Sequence, residues 1–157
     1  MATLLDAIRS GALERFDLPE WETRSARRPL YVSRELIDWL ENTLELHMST
    51  IGGRTLCEHL EQAFCAFRCD QHVQYADLKR MRPTRAGVWH MYPPGLRVYG
   101  WCPDAHAFVA VTAALEIDTK QDRGLNDRKR DDVLNFAWRH RLSATIKRGD
   151  NLVLFPR

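Results

Sequence analysis

The stretch that decides the fold is residues 87–101, GVWHMYPPGLRVYGW. Val88–Tyr92 and Leu96–Cys102 are rich in aromatic and β-branched side chains, which predicts two strands. Pro93-Pro94-Gly95 joins them, and a turn this short makes them antiparallel neighbours. A third run, Phe108–Leu115, follows Pro103-Asp104-Ala105-His106 and opens with Phe108-Val109-Ala110-Val111. That opening is apolar on both faces, as a central strand would be.

Helical periodicity takes over on either side of this block. Leu4, Leu5, Ile8 and Ala12 predict a short helix over 2–13. Residues 17–32 hold Pro19 and Pro29 among charges, which predicts a loop or extended arm. Ser33 caps a helix through about Met48 that buries Ile37, Leu40 and Leu44. Gly52-Gly53 interrupts it, and Thr55-Leu56-Cys57-Glu58 is a capping box opening a helix to about Arg68. Leu56, Leu60, Ala63, Phe64 and Phe67 form the buried side of that helix, and the two helices are expected as an antiparallel hairpin. Beyond the third strand a polar link leads to a helix from Asp127 to about Leu142, with Val133, Leu134, Ala137 and Trp138 inward. Thr145–Lys147 and Leu152–Phe155 are expected to close as a terminal hairpin. The predicted class is α+β: a helical hairpin packed on a small antiparallel sheet, then a C-terminal helix and a short hairpin. One domain over 1–157 accommodates it.

Composition narrows the function classes. The chain is 45% hydrophobic and 28% charged, with five Trp and six Phe, so it is neither a disordered tail nor a low-complexity polymer. No run approaches the length of a membrane span, and the N-terminal residues lack the pattern of a secretory signal, so a cytoplasmic location is expected. The Gly-rich and histidine signatures of nucleotide-binding folds and metalloproteases are missing. Cys57, His59, Cys65, Cys69 and His72 are the densest set of metal-ligand types, but they lack the short knuckles of structural zinc sites. They read as half-buried apolar packing, and no metal or cofactor is expected. The net charge of +2 hides an asymmetry: residues 1–75 carry 8 Lys+Arg against 12 Asp+Glu, residues 76–157 carry 15 against 9. A basic half points to a polyanionic ligand or an acidic partner rather than a membrane.

The basic residues cluster just before the first of the three strands, in Lys79-Arg80-Met81-Arg82-Pro83-Thr84-Arg85. Pro83 rules out a single helix face, so a loop is expected there. Strand alternation then puts Arg97, Tyr99 and Trp101 on one face, and His90 with Tyr92 on one face of the neighbour. Cations interleaved with aromatic rings on a sheet face suit single-stranded RNA, whose phosphates take guanidinium and whose bases stack. The other reading of Tyr99 and Trp101 is ordinary cross-strand packing. Cleavage of RNA without a metal needs a base for the 2′-hydroxyl, a cation for the pentavalent phosphate and an acid for the 5′ oxygen. His90 is the histidine that shares the strand pair with Arg97, and it suits either proton role.

In this order of elements the chain resembles the RelE/ParE toxin superfamily, including its HigB-like branch with phage-related members. The resemblance spans about residues 33–142 and is carried by the basic loop, Gly87-Val88-Trp89, Gly95-Leu96-Arg97-Val98-Tyr99 and the long apolar strand behind them. It implies a small α+β toxin that cleaves mRNA, on the ribosome, without a metal, or in the ParE branch inhibits gyrase, and that has a cognate antitoxin. On that footing Arg97, His90 and Arg85 are the expected catalytic residues. Lys79, Arg80, Arg82, Tyr92, Tyr99, Trp101 and Lys120 are the expected RNA-binding residues. Residues 1–32 and 143–157 are then additions to the family core. Two other readings stay open. Glu116 and Asp118, where the family is basic, suit a relative that binds nucleic acid or protein without cleaving. Arg128, Lys129, Arg130, Arg139 and Arg141 on the last helix, with the following hairpin as a wing, suit a winged-helix DNA binder.

Overall fold

Because strand side chains alternate between faces, the stretch 96–101 sends Leu96 and Val98 to one side of a sheet and Tyr99 and Trp101 to the other, and all four are fully buried. Both faces are therefore covered. A computed structural model describes residues 1–18, 26–71 and 73–148. Its elements in chain order are α1 (Leu4–Arg9), β1 (Leu13–Arg15), β2 (Leu30–Ser33), α2 (Arg34–Trp39), β3 (Thr50–Ile51), β4 (Arg54–Thr55) and α3 (Leu56–Arg68), followed by β5 (Leu78–Arg80), β6 (Val88–Met91), β7 (Leu96–Trp101), β8 (Phe108–Leu115), α4 (Glu116–Gln121) and α5 (Leu125–Arg139). The protein is an α+β fold built on a six-stranded sheet of order β1-β2-β8-β7-β6-β5.

The expected antiparallel meander forms its middle: β6 pairs β7 with His90 opposite Tyr99, and β7 pairs β8 with Arg97 opposite Ala114. The register then jumps from Tyr99 opposite Thr112 to Gly100 opposite Ala110, which leaves Val111 as the extra residue of a β-bulge. One face packs on α2 and α3 through Leu30, Trp89, Met91, Phe108, Leu60 and Phe64. The other packs on α1 and α5 through Leu13, Val88, Trp101, Val109, Val133 and Phe136.

The sheet is wider than the sequence suggests. Within the arm expected over 17–32, Leu30–Ser33 forms β2, parallel to β8 with Val32 opposite Ala110. Leu13–Arg15, at the end of the expected first helix, forms the edge strand β1. The Ser33 hydroxyl ties this side together by donating to the Val111 carbonyl at 2.6 Å while accepting from the Leu36 amide at 3.0 Å. Those partners lie 78 residues apart, so no local pattern announces them.

The helices follow their local signals more closely. The capping box at Thr55 forms, with the Glu58 amide donating to the Thr55 hydroxyl at 3.2 Å and the Thr55 amide to the Glu58 carboxylate at 2.7 Å. Ser33 caps α2, which ends in a π-helical turn over Leu40–Leu44. A two-stranded ribbon turning at Gly52-Gly53 links this region to α3. Four expectations need correcting. Lys79 and Arg80 lie in β5 rather than a loop, because Leu78 pairs with Met91 and extends the sheet. The polar link after β8 is the helix α4. Trp138, expected inward, is 75% exposed, because the inward stripe of α5 runs through Val133, Phe136 and Ala137. The strand expected over Thr145–Lys147 is not formed, since Thr145 ends a 3-10 turn from Ser143 and 146–147 are irregular; residues 149–157, with the rest of that hairpin, lie outside the described residues, as does His72.

Candidate nucleic-acid interface

The α5 face of the sheet is apolar where Trp101 and Val109 meet Phe136 and becomes polar toward the start of β7. Here β5 contributes Lys79, β6 His90, the β6–β7 turn Tyr92, β7 Arg97, and α4 Glu116 and Lys120. Pairing sets the geometry: Lys79 sits directly opposite His90, and His90 opposite Tyr99.

Tyr92 is the centre of the cluster. Its hydroxyl lies 2.7 Å from His90 Nε2, and the two rings are 4.4 Å apart. The Arg97 guanidinium carbon stacks 4.0 Å above the same ring and Lys79 Nζ is 5.0 Å from its centre. Both cations are thus within cation–π range of one phenol ring. Arg97 donates to the Leu96 carbonyl at 2.9 Å and pairs with Glu116 at 3.3 Å. Lys120 holds the same Glu116 oxygen at 2.8 Å. Arg97 and Lys120 thus share one carboxylate, and with Lys79 on the Tyr92 ring the cluster carries net positive charge.

This environment tunes the titrating groups. Burial, then the charges of Arg97 and Lys79, push His90 down to about 4, so its imidazole is neutral at neutral pH. Burial raises the Tyr92 phenol, which therefore keeps its proton. The hydrogen bond from Lys120, with the nearby Arg97, holds Glu116 below the usual carboxylate range. A neutral imidazole and a protonated phenol in hydrogen-bond contact can pass a proton between them.

Other expected site residues lie elsewhere. Tyr99 and Trp101 are fully buried: Tyr99 donates to Asn126 Oδ1 at 2.5 Å and Trp101 to the Thr145 hydroxyl at 3.0 Å. Under α5 neither ring can stack on a base, so cross-strand and core packing is what they do. Arg80 projects to the opposite face, its guanidinium 5.0 Å from the Trp89 ring centre. Arg82 and Arg85 line an open cleft with Asp127 and Arg130 instead of joining Arg97, and Arg130 donates to the Arg82 carbonyl at 3.1 Å. Asn126 and Lys129, which donates to Thr112 at 3.2 Å, border the polar end of the face and were not singled out as RNA-binding residues. Only the docking of α5 brings them there.

Cys57 and Cys65 on α3 and Cys69 at its C-terminal cap are partly buried. Among the described residues no group of three His, Cys, Asp or Glu is placed to hold a metal ion, and no helix is long and apolar enough to cross a membrane. No family model, curated protein or solved structure matches the chain.

Proposed function

We propose that the protein binds single-stranded RNA at Lys79, Tyr92, Arg97 and Lys120 and cleaves it by metal-independent transesterification, in the manner of a RelE/HigB-like toxin. The observation that supports this best is the His90–Tyr92 hydrogen bond lying directly beneath the Arg97 guanidinium. Arg97 grips two phosphate oxygens through its planar fork and stabilises charge in the pentavalent transition state. The Tyr92 hydroxyl takes the proton of the 2′-hydroxyl as the ribose oxygen attacks phosphorus, while its own phenolic proton passes to Nε2 of neutral His90 across their hydrogen bond. The bond from phosphorus to the 5′ oxygen breaks, and Tyr92 protonates that leaving group. The products are a 2′,3′-cyclic phosphate and a 5′-hydroxyl. The proton on His90 then returns to the phenolate across their shared hydrogen bond, restoring the pair.

The test is incubation of purified protein with end-labelled single-stranded RNA in excess EDTA. Cyclic-phosphate and 5′-hydroxyl ends are expected, with no cutting of RNA carrying 2′-deoxyribose at the scission site. Induced expression should arrest bacterial growth, and His90→Gln should not. Equal cutting of DNA, or RNA with other end groups, would sink the mechanism. Glu116 favours a second reading, binding without cleavage, because its carboxylate already occupies Arg97 and Lys120. Tight RNA binding with no cut products would establish that reading.

A further inference from the structure

A second feature adjoins the cationic cluster. At the end of the sheet, where β7 begins and β8 ends, lies a cavity of about 440 Å³. Its walls are aliphatic: Leu56 from the first turn of α3, Leu115 from the end of β8, and Ile51 and Ile117 at the rim. His47 and Ser49 add polar groups to the lining. Glu116 and Lys120 form the remaining side. Because the Glu116 oxygen that holds Lys120 also holds Arg97, this cavity opens one side chain away from the guanidinium.

Its surroundings are unusually apolar for a surface. Met48 is 88% exposed, Leu46 74%, Ile117 59% and Ile51 43%, so much of the protein's exposed aliphatic surface is gathered here. A cavity of this size falls in the range of small-molecule sites, which combine apolar walls with a few placed polar groups. An occupant must be flat or compact, apolar on its faces, polar at its edge, and attached to an anion that reaches Arg97 and Lys120. An unstacked nucleobase on a phosphate backbone has those properties.

Resting on the RNA reading above, we infer that this cavity is a nucleobase subsite. It takes the base next to the phosphate held by Arg97, with Leu56, Leu115 and Ile117 against the ring faces and His47 and Ser49 at the polar edge. The protein would thereby prefer RNA whose bases are unpaired, since a base in a duplex must first be unpaired and unstacked, at a cost of about a few kcal/mol, to enter.

The experiment is a fluorescence-anisotropy titration at low salt with labelled hexauridylate, hexaadenylate and an abasic ribose-phosphate hexamer. The full-length protein should bind at least one base-bearing oligomer about tenfold or more tightly than the abasic one. Ile117→Ala, which removes a wall, and Ser49→Phe, which fills the space, should erase that preference and leave abasic binding unchanged. Both positions are exposed, and an unchanged Tm verifies their folding. Arg97→Ala should weaken all three oligomers alike. If the wild type binds all three equally while Arg97→Ala still weakens them, the subsite is overturned and the RNA reading stands. If none of the three binds, both fall, and the aliphatic rim is a protein-docking surface instead.

Discussion

Arg97 shows how one charge in an apolar strand is accommodated. A buried unpaired guanidinium would cost several kcal/mol, so the residue must pair or face an opening. It does both, with its side chain 18% exposed, one nitrogen on Glu116 and its plane on Tyr92. Arg97→Ala leaves Glu116 still held by Lys120, so the Tm should move by no more than about 4 °C, while RNA affinity falls at least about tenfold. Arg97→Lys should recover only part of that affinity, because an ammonium lacks the planar fork. A large loss of Tm with affinity intact would make the residue purely structural. Glu116→Gln should release both cations and raise RNA affinity several-fold in the same titration; no gain would show that Glu116 does not compete with phosphate. His90 supplies a pH signature. Its folded pKa of about 4 lies below the ordinary 6.5, so between those values the unfolded chain binds a proton that the native state refuses. Stability contributed by neutral His90 is therefore complete above pH 6.5 and is lost as pH falls toward 4, by about 1–2 kcal/mol given the partial exposure of the ring. Denaturation midpoints measured across this window should fall in the wild type and fall less in His90→Gln.

At the scale of elements, the bulge in β8 governs how β7 presents its side chains. At Gly100 the two strands approach so closely that an added Cβ would lie 1.8 Å from the Val109 carbonyl oxygen. That atom is backbone and cannot step aside. Gly100→Ala should therefore cost more than about 3 kcal/mol or abolish folding, as read by urea denaturation. Gly124→Ala is the control, since its methyl would meet only the movable Arg128 guanidinium at 3.0 Å and should stay within about 1 kcal/mol. Among the helices α3 was the most legible. In α3 the capping box and the apolar stripe are local, and both appear as read, with Leu56, Leu60, Ala63, Phe64 and Phe67 buried. The edge half of the sheet was not legible, because β2 takes its register from β8 and its three short pairs carry no periodicity of their own.

For the whole molecule, the arrangement of layers joins stability to the site. Two cores share one sheet, the first centred on Phe64 and Phe67, the second on Trp101 and Phe136. Phe64→Ala and Phe136→Ala should each cost about 3–5 kcal/mol, with far-UV and near-UV signals lost in one transition. Separate transitions would show that the layers fold independently. Lys79, Arg97 and Lys120, three of the cations of the second half, lie where β5, β7 and α4 meet, and RNA binding there should depend on salt. With Lys79, Arg97 and Lys120 as the phosphate contacts, the log–log slope against salt should be near −2, since single strands release about 0.7 counterion per contact.

What the sequence determined by itself was whatever depends on near neighbours: the meander from Val88 to Leu115, whose turns are short, and the capped helix α3. Strand alternation also put Arg97, Tyr99 and Trp101 on one face and His90 with Tyr92 on one face of the neighbour, while the pairing of His90 with Tyr99 turns the two sets to the same side. The tertiary structure decided which of those side chains remain reachable. Docking of α5 covers Tyr99 and Trp101 and leaves Tyr92 partly open, although all three aromatics lie toward the same face of the sheet. Pairing of β5 with β6 divides Lys79 from Arg80, adjacent in sequence but on opposite faces. Accessibility is set by what packs on a face, and that comes from residues tens of positions away, beyond the reach of any local pattern.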